Sequence, residues 1–329
     1  MQKNLNSRKL SIVIPAYNEE DSIKPLYDEI KASVAKLIKN HKIQDYEILF
    51  VNDGSSDNTE KNIVKLTADK RVKLISLRKN FGKSKALQIG FQHICGDIIV
   101  TMDADLQDDP VELANFIAKL DEGYDMVSGW KFNRLDPLEK TLPSKLFNFV
   151  TSKVSGIKIH DFNCGFKAYR KEVVKSLNIY GEFHRYIPIL ALRNGFKITE
   201  ITVKHHKRQF GKSKFGMERY LRGMFDAVSA LFLLKFYDKP MYFFGKIGLG
   251  LLMVGFLICS YLTALWFAGY AIGGRPLLIL GVLFILVGFQ SFSLGLIANI
   301  IIDNVDKRGN NDVLISKTVN EESSDDAIQ

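Results

Sequence analysis

Asp97-Ile98-Ile99-Val100-Thr101-Met102-Asp103-Ala104-Asp105-Leu106-Gln107 runs from an apolar stretch into two carboxylates one residue apart. Side chains of an extended segment alternate in direction, so Asp103 and Asp105 leave the C-terminal end of a strand facing the same way. Neighbouring carboxylates repel, and a hard divalent cation removes that penalty. Magnesium commonly takes one or two protein carboxylates together with substrate phosphate oxygens. The spacing suits a metal–diphosphate site, and by itself it suits a solvated turn as well. The segments around it decide between the two.

Upstream, residues 9–14 alternate and end at Pro15, which predicts a first strand. Residues 20–39 have helical periodicity, and residues 46–52 form a second strand closed by Asp53-Gly54-Ser55. Asp57 is placed to cap a helix through about Ala68. A third strand at 72–77 leads to a helix at 83–94. The strand at 97–102 is followed by a helix at 110–120 with Pro110 in its first turn, then by a fifth strand at 125–129. This alternation predicts an α/β fold with a mostly parallel sheet and helices on both faces. Such sheets bind ligands beyond the carboxyl ends of their strands.

The polar residues fall at those ends. Tyr17, Glu19 and Glu20 follow the first strand, Asp53 and Asp57 the second, and Asn80-Phe81-Gly82-Lys83 the third. A tyrosine can stack on a nucleobase, and a carboxylate can accept from a base N–H or a ribose hydroxyl. Singly, each segment reads as turn and cap chemistry. Combined with Asp103-x-Asp105 in one α/β unit, they point to a nucleotide. No G-x-G-x-x-G follows the first strand, which argues against a nicotinamide enzyme.

The last third has a different composition. Residues 247–272 and 276–302 contain no charge, and each run exceeds the roughly 20 residues that span a bilayer core. A buried pair of soluble helices is the alternative, but soluble helices of that length normally keep a polar face. Gly273-Gly274-Arg275 is too short for a domain, so the runs should form a hairpin. Lys204, Lys207, Arg208, Lys212, Lys214, Arg219, Arg222, Lys235, Lys239 and Lys246 precede the first run, and Lys307 and Arg308 follow the second. The positive-inside rule then places the N-terminal domain and both termini in the cytoplasm, with the chain a multi-pass protein of the inner membrane. Residues 1–10 are polar and 11–17 too short for an h-region, so no signal peptide is expected. Residues 140–156 and 213–235 are amphipathic, as interfacial helices and ordinary core-facing helices both are. Residues 310–329 are polar and read as disordered. The net charge of +9 gathers near the apolar runs, which favours anionic lipid head groups over nucleic acid. Cys95, Cys164 and Cys259 are far apart, lack metal-ligand spacing and fit a reducing compartment.

Pro15-Ala16-Tyr17-Asn18-Glu19, Asp53-Gly54-Ser55-Ser56-Asp57 and Asp103-Ala104-Asp105-Leu106-Gln107 resemble three signatures of inverting family-2 glycosyltransferases. Asp161-Phe162-Asn163-Cys164-Gly165-Phe166-Lys167-Ala168-Tyr169-Arg170 resembles the acceptor-side signature of one branch. That branch holds dolichol-phosphate mannosyltransferases and bactoprenol-phosphate glucosyltransferases. The basic segment from Arg208 to Phe215 and the two apolar runs match it too, so the resemblance covers about residues 9–302.

The resemblance implies a GT-A-like, Rossmann-like nucleotide-sugar fold and Mg²⁺ or Mn²⁺ as cofactor. It implies transfer of a sugar from a nucleoside diphosphate sugar, a UDP-sugar before a GDP-sugar, to polyprenyl phosphate for cell-envelope glycosylation. It places Pro15, Ala16, Tyr17, Glu19 and Asp53 in the nucleoside pocket, with Asp103, Asp105 and Gln107 on the metal and diphosphate. Apart from the resemblance, Lys83 follows the third strand at the same sheet end, where it is either a contact of the donor phosphates or a surface lysine. Asp161 would act with Asp105 in catalysis, as a base, a sugar-hydroxyl ligand or an orienter of a basic side chain. Lys131, Arg134, Arg208, Ser213 and Lys214 would meet the acceptor phosphate or the diphosphate. The branch often has arginine where Lys131 stands, and Lys131 lacks that bidentate geometry. Four parts are expected: a catalytic domain at 1–212, juxtamembrane helices at 213–240, two transmembrane helices at 241–303 and a polar tail at 304–329. Lipid is the expected environment and nucleic acid is not a partner; a homo-oligomer is left open. Two rivals are a polysaccharide synthase and an inert scaffold. The first usually carries Gln-x-x-Arg-Trp, and neither Trp130 nor Trp266 closes such a motif. The second would be expected to have lost Asp103, Asp105 or Asp161.

Overall fold

The computed structural model describes residues 8–132, 159–179, 181, 183–206 and 239–306, together with residues 152, 232 and 236. They fall into two compact units, a sheet-bearing unit and a pair of long helices.

The sheet has seven strands, β1 (Lys9–Ala16), β2 (Asp45–Asn52), β3 (Val72–Ser76), β4 (Ile98–Thr101), β5 (Met126–Trp130), β6 (Lys167–Arg170) and β7 (Ile198–Thr202), in the order β3-β2-β1-β4-β6-β5-β7. All pairs are parallel except those of β6, which runs antiparallel between β4 and β5. Strands β1 and β2 are almost wholly buried apolar runs, as a parallel strand covered on both faces should be. Pro15 lies inside β1, one residue beyond the end predicted from sequence. It is tolerated because the ladder from β1 to β4 ends at Val13, so its missing N–H breaks no bond on that side.

Helix α1 (Ile23–Lys39) buries Ile23, Leu26, Tyr27, Ile30, Val34 and Leu37, a helical stripe that packs into one core with Leu10, Ile12 and Ile14 of β1. Helices α2 (Thr59–Leu66) and α4 (Leu113–Asp121) add Ile63, Leu66, Leu113, Phe116, Ile117 and Leu120 to that core. Helix α3 (Lys83–Gln92) covers the other face. A Cβ at Gly90 would stand 2.5 Å from Val13 Cγ1, so glycine sets how closely α3 approaches β1. Two short helices, α5 (Lys171–Ser176) and α6 (Ile187–Arg193), complete this unit. The N-cap of α2 is Asn58, one residue past the predicted Asp57, and the helix ends at Leu66 rather than near Ala68; Asp57 still supports its start, its Oδ1 accepting the Thr59 N–H at 2.9 Å. The helix predicted from residue 110 begins as a single 3₁₀ turn, Pro110–Glu112, before α4.

The second unit pairs α7 (Pro240–Phe267) with α8 (Pro276–Asp306). Both are long and apolar enough to cross a bilayer. They pack through glycines, since a Cβ at Gly248 would lie 2.7 Å from Gly288 O and one at Gly255 2.8 Å from Gly281 O. Small residues let backbones meet where no hydrophobic drive separates helix from lipid. Helix α7 starts seven residues before the charge-free run, with Pro240 in its first turn and Lys246 two turns in. Asn299 Oδ1 accepts the Met241 N–H at 3.4 Å, which satisfies one of the donors a helix start leaves open. The amphipathic stretches 140–156 and 213–235, the tail 310–329 and the predicted boundary near residue 212 lie outside the described residues, apart from Ser152 and Phe232.

Candidate active site

The loops after β1 and β2 interlock at the carboxyl edge of the sheet. Asn18 adopts φ 54°, a left-handed conformation that asparagine tolerates. Its N–H donates to Ser55 Oγ at 3.0 Å, and its Oδ1 accepts from Ser56 N–H at 2.8 Å. The Glu19 N–H donates to Thr59 Oγ1 at 2.8 Å, and the Asp53 N–H to Ala16 O at 2.8 Å. Pro15, Ala16, Tyr17, Glu19 and Asp53 are thereby gathered on one edge, with Ala16 and Asp53 buried and the other three half-buried.

Asp53 does more here than its sequence position indicated. Its Oδ1 accepts the Phe81 N–H at 2.8 Å and its Oδ2 the Gly82 N–H at 2.9 Å. Burial pushes its pKa up, and these two bonds pull against that rise. The carboxylate thus fixes the turn that starts α3, whose first residue is Lys83. Gly54 has φ +67°, and a Cβ there would fall 2.3 Å from the Lys79 carbonyl carbon. Gly54→Ala should therefore cost about 2 kcal/mol or more through strain and collision. Thermal unfolding checks this, and a melting temperature within about 1 °C of the parent would contradict it.

Lys83 reaches across to Asp103 and forms an ion pair with its Oδ1. Burial alone would raise the Asp103 pKa, but the charges of Lys83 and Lys131 outweigh it and hold the carboxyl at about 2. Asp103 is therefore an anion across the physiological range. Its N–H donates to Asp108 Oδ2 at 3.4 Å, and Lys131 Nζ stands 2.9 Å from Asp108 Oδ1. Burial works against the Lys131 charge, and the buried Asp108 carboxylate more than restores it, so the ammonium titrates above its usual range. Lys131 was expected to meet a lipid phosphate; the structure commits it first to Asp108. Past Asp103 the chain turns at Leu106, with φ 61°, and Asp105 Oδ1 accepts the Gln107 N–H at 3.3 Å. The segment after β7 folds back against this turn. Asp108 and His205 form an antiparallel bridge, and His205 Nε2 lies 3.4 Å from Gln107 Nε2.

The segment from Asp161 to Arg170 closes the same site from the other direction. Asp161 is buried, and its Oδ1 accepts the Asn163 N–H at 3.0 Å. Gly165 packs directly on Asp103: a Cβ on it would lie 2.5 Å from Asp103 Oδ2 and 2.6 Å from Oδ1. His160, one residue before Asp161, stacks on Trp130 with ring centroids 4.1 Å apart and bonds the Glu200 carboxylate through its N–H and its Nδ1. This clamps the segment to β5 and β7. On the opposite side, His184 Nδ1 shares a 2.9 Å hydrogen bond with Ser84 Oγ. Burial first, and Lys83 second, hold His184 neutral, well below its usual pKa. Arg134, Arg208, Ser213 and Lys214 lie outside the described residues.

Residues 11–177 match the family described as glycosyl transferase family 2. A dodecaprenyl-phosphate galacturonate synthase of Rhizobium johnstonii is 35% identical over 304 residues, 90% of this chain and 88% of that protein. The chain belongs to glycosyl transferase family 2. A second relative of this glycosyltransferase is an undecaprenyl-phosphate 4-deoxy-4-formamido-L-arabinose transferase of Yersinia pestis, 34% identical over 305 residues, 92% of this chain and 90% of that one. Both relatives are polyprenyl-phosphate sugar transferases by name. The fold is also that of glucosyl-3-phosphoglycerate synthase from Mycobacterium tuberculosis, solved with Mn²⁺, uridine diphosphate and phosphoglyceric acid; the TM-score is 0.52 at 19% identity, over 68% of this chain and 78% of that one.

This glycosyltransferase thus brings Lys83, Asp103, Gln107, Lys131 and the Asp161 turn to one edge of its sheet. Asp108, Gly165, Lys167, His184 and His205 join them without having been singled out as site residues from sequence. Gly165 and Lys167 fall within the Asp161–Arg170 signature, which gave no role to either; only a pairing partner could have revealed Asp108, because buried charged residues look like surface residues until the fold places them.

Proposed function

We propose that this glycosyltransferase moves one sugar from a nucleoside diphosphate sugar, a UDP-sugar, to polyprenyl phosphate at the cytoplasmic face of the inner membrane. One observation carries the reading: the Asp161 turn packs through Gly165 onto the Asp103 carboxylate. Donor-side and acceptor-side motifs therefore share one site. The two relatives named for polyprenyl phosphates support the acceptor, being alike over nine-tenths of the chain.

Pro15, Ala16, Tyr17, Glu19 and Asp53 line the nucleoside side. Asp103 and Asp105, with the Gln107 amide, would hold Mg²⁺ or Mn²⁺. The fit is chemical: two carboxylates on one turn, one of them kept ionised, leave coordination positions for phosphate oxygens. No cluster of three or more His, Cys, Asp or Glu side chains converges among the described residues, so the diphosphate itself would complete the set. When bound, the cation neutralises charge building on the departing diphosphate.

A phosphate monoester has its second pKa at roughly 6, so the acceptor oxygen is anionic near neutrality and needs little help from a base. It attacks the anomeric carbon as the bond from that carbon to the donor diphosphate breaks, and the electron pair of the broken bond leaves on the diphosphate oxygen, releasing nucleoside diphosphate. One in-line displacement inverts the configuration. The protein has to bring two anions together, which Lys83, Lys131, Arg134, Arg208 and Lys214 favour electrostatically, with Ser213 as a hydroxyl donor. Asp161 orients the acceptor-side cations or a sugar hydroxyl. The catalytic domain occupies residues 1–212. Residues 213–240 and the helices within 241–303 tie it to the bilayer, and the polar tail at 304–329 and the N-terminus both lie in the cytoplasm.

Membranes carrying the protein, incubated with a panel of nucleotide sugars, should yield a polyprenyl phosphate heavier by one sugar, detected by mass spectrometry of the extracted lipid. A sugar appearing only in polymer, or in no lipid with any donor, would overturn the acceptor assignment.

A further inference from the structure

Lys167 stands on β6, a strand inside the sheet, paired with Thr101 of β4 and Ser128 of β5. It is 2% exposed. A lysine at such a place is costly, since the ammonium loses its water and an apolar side chain would fill the same space more cheaply. Burial accordingly pushes its pKa down, with Lys83 acting in the same direction and Asp161 and Asp103 against it. Among the described residues no ion pair joins Lys167 to a carboxylate. Its ammonium donates instead to the main-chain carbonyls of Cys164 and Phe162, the latter at 3.4 Å.

Those carbonyls belong to the turn that carries Asp161 at one end and Gly165 at the other. Thr101 Oγ1 holds the next carbonyl, Gly165 O, at 2.8 Å, and Asp161 Oδ1 holds the Asn163 N–H at 3.0 Å. The turn is thus pinned at every step from Asp161 to Gly165. Gly165 in turn abuts the Asp103 carboxylate. Lys83, Gly165, Lys167 and His184 line one small cavity on the inner side of this contact.

We propose that Lys167 is a positioning residue for sugar transfer: its buried ammonium gathers the carbonyls of the 162–164 turn and so holds the turn that carries Asp161 against Asp103 through Gly165. The inference rests on the transfer reaction proposed above. Its expected signature is a cost in turnover that exceeds any cost in folding. A turn that has lost its internal donor still has its place in the sheet, but its end residues shift, and a misplacement of about 1 Å in a reacting constellation costs on the order of a hundredfold in rate.

The test uses the full-length protein in lipid, with Lys167→Met, Lys167→Arg and Thr101→Val beside the parent. Release of nucleoside diphosphate is measured against donor and acceptor concentration, and thermal unfolding is measured in parallel. Lys167→Met should unfold at or above the parent temperature. Its kcat should fall at least about tenfold, with donor KM changed less than about threefold. Lys167→Arg should recover part of kcat, because guanidinium N–H groups can reach the same carbonyls. Thr101→Val, which frees Gly165 O and also removes the 3.3 Å partner of the buried Tyr169 hydroxyl, should lower kcat in the same sense, beyond any change in thermal unfolding, and keeps the question open to refutation if the methionine variant fails to fold. Parent-like kcat in both the methionine and the valine variants overturns the inference. So does a loss of activity that merely follows the folded fraction. Absence of turnover in the parent with every donor and polyprenyl phosphate would instead overturn the function proposed above, so the two failures are distinct.

Discussion

Asp105→Asn should leave the fold intact and lower sugar transfer by at least about a hundredfold. The substitution keeps the volume of the side chain and its place after β4, but removes a charge. Asp105 sits two residues after Asp103, and its Oδ1 accepts the Gln107 N–H at 3.3 Å, a bond that the asparagine oxygen can also accept. The turn should therefore survive, and thermal unfolding should match the parent. What is lost is half of the paired negative charge that would hold a divalent cation against the donor diphosphate. Mn²⁺ affinity, followed by electron paramagnetic resonance, should weaken in step with turnover, and an excess of chelator should silence the parent enzyme. Parent-like rates in the variant, or full parent activity in chelator, would contradict the metal assignment.

Gly165→Ala is expected to have an effect of similar size by a different route. The new Cβ would lie 2.5 Å and 2.6 Å from the two Asp103 carboxylate oxygens, closer than contact allows. Asp103 has little freedom to move aside. Its Oδ1 pairs with Lys83, and its main chain is tied to Asp108. Either the carboxylate rotates out of place or the Asp161 turn retreats from it. A displacement of about 1 Å between reacting groups costs on the order of a hundredfold, so kcat should fall by that order, beyond any loss of stability passed to the neighbouring core residues Met102, Ala104, Cys164 and Phe166. Steady-state kinetics beside thermal unfolding read the two apart. A parent-like kcat would mean that Gly165 and Asp103 do not meet in the working enzyme.

The first two-thirds of the catalytic unit were legible because they are regular. Alternating or continuous apolar runs fixed β1 to β5, and 3.6-residue stripes fixed α1 and α4, with errors confined to their ends. Strands β6 and β7 escaped notice for physical reasons. Lys167-Ala168-Tyr169-Arg170 carries a charge at each end, and its lysine is buried only because it serves carbonyls of the preceding turn. Ile198–Thr202 is an edge strand with half-exposed residues, whose weak pattern needs β5 beside it to be read.

Asp103 and Asp105 stood out only in combination with the turns after the other strands, since their spacing also suits a solvated turn, and Lys83 could equally have been a surface lysine. Asp53 could be read as a site residue but not for what it does in the structure, since its bonds to Phe81 and Gly82 join segments 28 and 29 residues apart. Asp108 and His184 depend on similar long-range partners, Lys131 and Ser84. Such pairings follow from the fold and cannot be counted off along the chain.

The most direct test of the central claim asks what accepts the sugar. Purified protein in lipid, with Mn²⁺ and a nucleotide sugar labelled in the sugar, is offered either undecaprenyl phosphate or the corresponding polyprenol lacking phosphate. Label should pass into the organic phase with the phosphate-bearing lipid, one sugar per lipid and one nucleoside diphosphate released for each, and should stay in the aqueous phase with the polyprenol. Equal transfer to the polyprenol, or no lipid-phase label with any donor, would contradict transfer onto polyprenyl phosphate.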